Sequence, residues 1–379
     1  MRLLLLKQKL SGALRRLRAF LISGSASSPT VGTRPDVSGK LHRVGVGRDQ
    51  AQKLKQAEQQ IARQRQRINR QSRELGELRT RFAESVHGNE QHRIDPANVI
   101  WILGTGRTGS TWLAFMMEEL ESYTVWREPY VGQLFGQFYD SWVGKKHFET
   151  KHLILGRRYK ESWLKSIRSF ILNEATVRFP AVLDAGYLVI KEPNGSIGAP
   201  LLLEALPESR MIFLIRDPRD VMASSLEAFR KGSWLYERWE RGMAPTAMFD
   251  MQVDALVEKM ADIYMQNIGN TREAYEAHKG PKVLIHYEEL RVDTLRIMKH
   301  IYSTLGITVD EEELTRAVEK HSWENVPEEE KGEGKFHRKA TPGGWREDLT
   351  PEQIETVERI TAPVLEEFYP AKEQSGGRY

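Results

Sequence analysis

One short segment near residue 100 constrains the fold more than any other part of this 379-residue chain. An apolar run, Val99–Leu103, leads directly into the loop Gly104–Thr111, and a helix-like segment, Trp112–Met117, follows. The run is short and continuous, as in a strand buried on both faces, and glycines and hydroxyls punctuate it before the helix. The pattern therefore predicts a strand, an anion-cradling loop and a helix, which is a unit of α/β folds.

The loop resembles a nucleotide-binding loop in its glycines but not in its charge. The spacing of Gly104 and Gly109 fits G-x-x-x-x-G-K-[ST], yet Ser110 stands where the lysine belongs. In a nucleoside triphosphatase that lysine reaches the β- and γ-phosphates, so its absence argues against cleavage of ATP or GTP. Backbone N–H groups and the helix dipole still attract an anion, and Arg107 and Thr111 add a cation and a hydroxyl. We expect an anionic ligand that is not a triphosphate.

A second strand-to-helix corner lies at Arg216. Met211–Ile215 is another short apolar run, and the pair Asp217-Pro218 suits the N-cap and first position of a helix. Asp220 is expected to complete the start of that helix. Because Ser224 lies two helical turns beyond the corner, its hydroxyl returns to the side of Arg216. A guanidinium and a hydroxyl placed in this way predict a second phosphate site.

The two corners resemble those of the sulfotransferases that use 3′-phosphoadenosine 5′-phosphosulfate (PAPS). The first signature of that family, [KR]-[ST]-G-[ST]-[ST]-x-L, is similar to Arg107–Leu113. The second, an arginine at a strand end with a serine eight residues on, is similar to Arg216 and Ser224. The resemblance covers residues 95–370 and implies one α/β sulfotransferase domain with a central parallel sheet flanked by helices.

The resemblance also implies where PAPS would bind. The loop would grip the 5′-phosphosulfate, the second corner and a later basic pair would hold the 3′-phosphate, and two aromatic rings would lie near the adenine. The implied contacts are Arg107, Thr108, Gly109, Ser110, Thr111, Trp112, Arg216, Ser224, Tyr287, Arg338 and Lys339. The segment Gly343–Thr350 resembles a late G-x-W-x-x-x-L-T segment of the family, and Thr350–Gln353 predicts the start of a final helix.

Sulfuryl transfer to an alcohol needs a base for the hydroxyl proton and positive charge near the transferring oxygens. The histidine of the family's K-T-H pattern is absent, because the matching residues read Lys191-Glu192-Pro193. Glu128 lies in a Glu-Pro segment similar to that of the glutamate-using branches, so it is the predicted general base, with Glu192 as the second choice. Lys191 and Arg107 are predicted to support the sulfuryl group. The alternatives are an ordinary ion pair of Glu128 with Arg127 and a solvated lysine at the strand end.

Charge divides the chain into two parts. The first 93 residues carry 20 Lys and Arg against 7 Asp and Glu, whereas the remainder carries 36 against 45. The basic balance therefore belongs to an N-terminal arm, and no nucleic-acid partner is predicted for the catalytic domain. Residues 1–23 predict a basic amphipathic helix whose longest apolar run, four residues, is too short to cross a bilayer. Residues 24–47 predict a flexible linker. Peripheral membrane contact, a transit peptide and a solvated helix are all open for this arm.

Residues 48–86 predict a coiled coil. Apolar residues recur every seven positions at Leu54, Ile61, Ile68, Leu75 and Phe82. The second seam position is weak, with Ala57, Gln64, Gln71 and Leu78. The coil is therefore marginal by itself, and a homo-oligomer, most simply a dimer, is predicted, with a solvated single helix as the alternative.

The remaining features complete the fold prediction. Strands are predicted near 99–103, 187–191, 211–215 and 282–285. They alternate with helical segments, as in a parallel sheet covered on both faces. Residues 140–180 and 231–249 are predicted insertions that shape the acceptor pocket, and a disordered tail is expected at 371–379. The chain has no cysteine, which excludes disulfides and favours a cytoplasmic protein.

The sequence hypothesis is a PAPS-dependent sulfotransferase that leaves adenosine 3′,5′-bisphosphate as its product. A carbohydrate or glycolipid acceptor is favoured, because the Glu-Pro segment resembles that of carbohydrate-acting relatives, and aromatic or lipid alcohols are open. No metal is expected, since the ten histidines form no H-E-x-x-H or comparable cluster. Two other interpretations stand beside it: a P-loop kinase or nucleotide-binding enzyme with Asp217 holding Mg²⁺, and an inactive coiled-coil scaffold.

Overall fold

The structure of the chain is a computed structural model that describes residues 94–137, 139, 157–180, 182, 186–240, 247–335 and 339–370. The predicted amphipathic helix (1–23), linker (24–47), coiled coil (48–86) and tail (371–379) lie outside these residues. Within the described part of the chain, no helix is both long and apolar enough to cross a membrane.

Five parallel strands form the central sheet of the described residues. They are β1 (Val99–Gly104), β2 (Tyr123–Arg127), β3 (Tyr187–Lys191), β4 (Arg210–Ile215) and β5 (Lys282–His286). Their order in the sheet is β2-β3-β1-β4-β5, and every neighbouring pair is parallel. The predicted fold class is therefore confirmed. The edge strand β2 was not among the predicted strands, although it carries Glu128 at its end.

Helices cover both faces of this sheet. They are α1 (Ser110–Glu118), α2 (Lys160–Arg178), α3 (Ala199–Ala205), α4 (Pro218–Phe229), α5 (Trp234–Glu240), α6 (Val253–Ala277), α7 (Tyr287–Val292), α8 (Thr294–Thr304), α9 (Glu311–Lys320), α10 (Trp345–Asp348) and α11 (Pro351–Phe368). Short 3-10 turns include Pro193–Gly198, which follows β3.

The strands are nearly continuous apolar runs because each packs against helices on both sides. Trp101 and Phe213 lie in a core with α2, α3, α6 and α11, whereas Ile102 and Ile212 point into a second core with α1, α8 and α9. Each of these four side chains is fully buried. Helix α2 contributes several buried residues to the first core, so most of the described part of 140–180 is scaffold rather than the predicted pocket insertion.

Local signals place the ends of two helices as predicted. Asp217 caps α4 by accepting the N–H of Arg219, and Thr350 and Gln353 form a reciprocal capping box at the start of α11. The expectation for Asp220 was wrong. Its two oxygens accept instead the N–H groups of Gly343 and Trp345 at 2.7 and 3.1 Å, so this carboxylate ties a distant turn to α4.

Candidate active site

The order of the strands determines where the site lies. Since β3 and β4 flank β1 on opposite sides, the chain reverses direction across the sheet at the carboxyl end of β1. Open parallel sheets bind ligands in the crevice outside such a point. A cavity of about 920 Å³ opens here, and the loops after β1, β2, β3 and β4 all contribute to its wall.

The loop after β1 turns tightly beside Tyr287. Gly109 has φ +82°, and a Cβ atom there would lie 2.6 Å from the Tyr287 ring, so glycine is required on both counts. The hydroxyl of Thr108 is buried and donates to the carbonyl of Thr105 at 2.9 Å. Thr108 therefore shapes the loop, whereas Arg107, Gly109, Ser110 and Thr111 line the cavity.

The second corner meets this loop directly. Arg216 donates through Nη1 to the carbonyl of Arg107 at 2.9 Å, and its guanidinium lies 4.3 Å from the centre of the Tyr287 ring. Arg107 in turn donates through Nε to the hydroxyl of Ser224 at 3.0 Å. The hydroxyl of Tyr264 supports the corner by donating to the carbonyl of Arg216 at 2.8 Å. Both predicted phosphate sites thus belong to one cavity.

The aromatic pair predicted near adenine also lies on the cavity wall. Trp112 and Tyr287 meet edge to face, with ring centres 6.4 Å apart. The indole of Trp112 donates to the carbonyl of His321 at 2.7 Å, and the guanidinium of Arg291 lies 5.4 Å from its ring. Burial raises the pKa of Tyr287, while Arg216 and Arg291 oppose that shift, so this phenol stays neutral.

Of the late basic pair, the structure describes Lys339 but not Arg338, which lies outside the described residues. Lys339 lines the cavity and donates to Glu347 and Asp348 at 3.1 and 2.9 Å. The two carboxylates offset much of its charge, so any contribution of Lys339 to anion binding competes with them.

Glu128 follows β2 and lies on the cavity wall. Its N–H donates to the carbonyl of Lys191 at 2.8 Å, and its carboxylate forms a short ion pair with the ammonium group of Lys191. That ammonium also donates to Thr111 at 3.1 Å and is almost fully buried. The partner of Glu128 is therefore Lys191, whereas Arg127 pairs with Glu118.

Glu192, the second choice for the base, is enclosed behind the wall rather than on it. Its side chain is 1% exposed, and Oε2 accepts the N–H of Tyr130 at 3.0 Å. Burial raises its pKa to about 7, against the opposing effect of the N–H groups of Tyr130 and Gly132. That value also includes smaller effects of the carboxylate of Glu128, which raises the pKa, and of the ammonium of Lys191, which lowers it.

The cavity also has a wall that the individual site predictions missed. Phe229, Trp234, Leu235, Arg238 and Met248 line it, and four of them come from the predicted insertion at 231–249. The guanidinium of Arg238 lies 6.0 Å from the Trp234 ring. The Trp and Arg residues of the segment 231–249 are a sequence signal that could have identified this wall. Nothing comparable pointed to His321.

No cluster of three or more potential metal ligands occurs among the residues that the structure describes. Asp217, the aspartate of the kinase interpretation, is held by the guanidinium of Arg219 at 2.7 Å, and it is not among the residues that line the described cavity.

Comparison with known proteins finds similarity to sulfotransferases. Residues 196–369 match the family model described as Sulfotransferase domain. Cytosolic sulfotransferase 17 of Arabidopsis thaliana is 23% identical over 197 residues, which cover 45% of this chain and 55% of that protein. Carbohydrate sulfotransferase 1 of Rattus norvegicus is 29% identical over 136 residues, which cover 36% of this chain and 29% of that protein. Residues 196–369 of this chain are therefore similar to the sulfotransferase domain.

The crystal structure of mouse sulfotransferase SULT7A1 complexed with PAP shares 16% identity with this chain and superimposes with a TM-score of 0.46. The superposition covers 74% of this chain and 89% of that one. The family match begins at residue 196, after both the first signature and Glu128. The roles of those residues therefore depend on the geometry described above.

Proposed function

We propose that this protein transfers a sulfuryl group from PAPS to the hydroxyl of an acceptor. The observation that carries the proposal is that the two corners predicted to bind anions join in one cavity. The loop after β1 and the Arg216–Ser224 corner are linked through Arg107, and Glu128 lies on the wall of the same cavity. The names of the relatives, cytosolic and carbohydrate sulfotransferases, support the same chemistry.

The donor groups at the corner fit a bisphosphate nucleotide. The Nε atom of Arg216 is buried and has no hydrogen-bond partner among the described residues, which leaves a charged donor for an anion. The hydroxyls of Ser110 and Thr111 line the loop beside it. When bound, PAPS would supply an electrophilic sulfuryl group and a stable leaving group. The chain supplies oriented positive charge, which is the main requirement for stabilising such a transfer.

Glu128 is the proposed general base. Its carboxylate lines the cavity with about a third of its side-chain surface exposed, so an acceptor hydroxyl can reach it. Glu192 cannot serve this role as it is placed, because its carboxylate is enclosed. Lys191 bridges Glu128 and Thr111, so its ammonium group lies between the base and the anion-binding loop. Such a cation would hold the carboxylate in place and offset negative charge on the transferring group.

The wall beyond Glu128 favours an acceptor with an apolar part beside its hydroxyl. Phe229, Leu235 and Met248 present apolar surface, while Tyr130 and Trp234 offer aromatic faces of the kind on which sugars also pack. Among carbohydrate acceptors, a glycolipid matches this mixture better than a free sugar does. An aromatic alcohol is the second candidate, because the same rings would hold it.

The N-terminal arm suggests where the enzyme acts. We propose from the sequence that residues 1–23 lie on an anionic membrane surface and that residues 48–86 join two copies of the chain. Sedimentation with vesicles containing an anionic lipid, for the full chain and for a chain lacking residues 1–47, tests the first point. Equal sedimentation of the two would contradict it. Light scattering tests the dimer.

The decisive experiment is calorimetric titration with adenosine 3′,5′-bisphosphate and, separately, with ATP plus Mg²⁺. Arg216→Ala is expected to weaken bisphosphate binding by roughly ten- to a hundredfold, the effect of removing a charge-assisted contact. Arg210→Ala is the matched control, because Arg210 lies at the opposite end of β4 and donates to the carbonyl of Leu305. The control should bind like the wild type.

The outcomes separate the three interpretations. Bisphosphate binding that depends on Arg216, followed by labelled-sulfate transfer to a glycolipid panel, supports the proposal. Glu128→Gln should then keep bisphosphate affinity while turnover falls by about a hundredfold or more. Binding of ATP with Mg²⁺ in place of the bisphosphate would support a kinase. Binding of neither nucleotide would support a scaffold.

A further inference from the structure

Glu192 is a buried carboxyl that the proposed chemistry does not use. It directly follows Lys191 at the end of β3, and its backbone N–H donates to the carbonyl of Ile102 at 3.0 Å. An enclosed carboxyl is costly unless it has partners, so its retention at this place needs a physical reason. The reason lies in the segment that it contacts, residues 128–130.

That segment has an unfavourable backbone. Glu128 and Tyr130 have φ angles of +47° and +59°, in the left-handed region that side chains other than glycine rarely adopt. Each such residue costs about 1 kcal/mol or more, so the surrounding structure must hold the turn. Without external contacts the segment would relax, and the carboxylate of Glu128 would move with it.

Two consecutive residues of the neighbouring strand end supply those contacts. The carbonyl of Lys191 accepts the N–H of Glu128 at 2.8 Å, and Oε2 of Glu192 accepts the N–H of Tyr130 at 3.0 Å. The first bond extends the pairing of β2 with β3, whereas the second requires a side chain. Within the described residues, Oε1 of Glu192 has no hydrogen-bond partner, and the two N–H groups that act on this carboxyl, those of Tyr130 and Gly132, both belong to the turn at 128–132.

The backbone around Glu192 leaves no freedom for it to move. A Cβ at Gly195 would lie 1.9 Å from Oε1 of Glu192, and a Cβ at Gly132 would lie 1.8 Å from the carbonyl oxygen of Gly195. The two turns, 128–132 and 192–198, therefore pack backbone to backbone with the carboxyl of Glu192 fixed between them. A fixed acceptor defines the position of the N–H that it binds.

We propose that Glu192 is a positioning residue that fixes the turn at 128–130, and through it the carboxylate of Glu128, by accepting the N–H of Tyr130. The proposal rests on the proposed function for its catalytic consequence. Its structural part, the ordering of the turn, is independent of that function. Glu192 does not touch the acceptor, and Glu128 remains the group that takes the proton.

The test compares Glu192→Met with Glu192→Gln. Methionine fills a similar volume but removes the acceptor, whereas glutamine keeps an oxygen for the N–H of Tyr130. Because small displacements of a catalytic group are costly, Glu192→Met should lower kcat by roughly tenfold or more, with KM and bisphosphate affinity little changed. Glu192→Gln should recover most of the lost turnover. Hydrogen exchange at residues 128–132 should quicken in the methionine variant and return towards the wild-type rate in the glutamine variant.

Three results would overturn the proposal. The first is hydrogen exchange at residues 128–132 of Glu192→Met that is as slow as in the wild type. The second is an unchanged kcat in that variant. The third is a loss of bisphosphate affinity alongside the loss of kcat, which indicates general damage. If Glu192→Met does not fold, Glu192→Ala takes its place as the variant without the acceptor. Hydrogen exchange in Glu192→Ala and in Glu192→Gln then provides the same comparison. A wild-type protein that binds no bisphosphate would refute the proposed function instead, and the exchange measurement would still decide whether Glu192 orders the turn.

Discussion

Arg216 and Arg107 connect the two strand-to-helix corners that we propose bind the ligand. Arg216 donates to the carbonyl of Arg107 at 2.9 Å, and the side chain of Arg107 returns to the hydroxyl of Ser224, on the helix that Arg216 precedes, at 3.0 Å. Arg107 has φ +68°, so these two contacts help to hold a residue in the left-handed region. The loop after β1 and the start of α4 are therefore expected to respond to ligand as a unit.

That connection predicts non-additive mutations. Arg107→Ala and Ser224→Ala should each weaken binding of adenosine 3′,5′-bisphosphate, and the double variant should lose less than the sum of the two. Residues that share a contact couple by roughly 0.5–3 kcal/mol. Calorimetric titration of the four proteins in a double-mutant cycle measures the coupling. Arg107→Ala combined with Ser303→Ala, at an exposed position on α8, is the control and should be additive. Additive effects of Arg107→Ala and Ser224→Ala would contradict the expectation that the loop and the start of α4 respond as a unit.

The turn at Gly109 predicts a second effect. Gly109→Ala combines a backbone of φ +82° with a methyl group 2.6 Å from the Tyr287 ring, so either the loop or the ring must move. Bisphosphate affinity should fall, and unfolding should become easier by about 1–3 kcal/mol, which urea denaturation would measure. The control is Gly269→Ala in α6, where an added Cβ meets nothing within 4 Å. There the gain in helix propensity should stabilise the protein by about 0.5–1 kcal/mol. Equal effects of Gly109→Ala and Gly269→Ala would refute the conclusion that the loop requires glycine at position 109.

The parts of the site that the sequence predicted are those encoded locally. A buried strand, a glycine-rich loop and a helix cap occupy neighbouring positions, so the loop at 104–111 and the corner at Arg216 could each be located without a structure. The parallel sheet followed from the alternation of short apolar runs with helices. The capping box of α11 could be predicted because Thr350 and Gln353 are also close together in the sequence.

The parts that could not be predicted depend on pairings distant in the chain. Glu128 meets Lys191 because β2 pairs with β3 in the register that sets Arg127 beside Lys191, and no local pattern encodes that register. Sequence proximity pointed to Arg127 as the partner of Glu128, but Arg127 pairs with Glu118. Strand β2 itself was missed because its five residues lie at the edge of the sheet and are mixed in polarity.

Asp220 illustrates the same limit and gives a third prediction. Its carboxylate accepts the N–H groups of Gly343 and Trp345 from a turn more than a hundred residues away, and it is 1% exposed. Asp220→Asn places an amide donor against one of those N–H groups, which should destabilise the fold by about 1–3 kcal/mol. Hydrogen exchange at 341–347 should quicken as the turn loosens. Glu352→Gln, at an exposed position of α11, is the control. Unchanged hydrogen exchange at 341–347 in Asp220→Asn would contradict the view that Asp220 holds this turn in place.

The buried carboxyl of Glu192 gives stability an unusual dependence on pH. Burial raises the pKa of Glu192 from 4.5 to about 7, so between these values the folded protein keeps a proton that the unfolded chain has released. The contribution of this group to stability is complete below pH 4.5 and is lost as the pH rises through 7. At 1.36 kcal/mol per pKa unit, the loss amounts to about 3 kcal/mol.

Glu192→Gln should abolish that dependence, because the amide is neutral at every pH. Urea unfolding of the two proteins between pH 4.5 and 8 measures the difference in their free energies of unfolding. The other titrating groups contribute nearly equally to both proteins and cancel in that difference. As the pH rises over this range, the free energy of unfolding of the glutamine variant should increase relative to that of the wild type by about 3 kcal/mol. Most of this increase should occur below pH 7. A difference that stays constant with pH would show that the carboxyl of Glu192 titrates normally. The cost of burying its ionised form would then be offset by contacts other than the N–H groups of Tyr130 and Gly132.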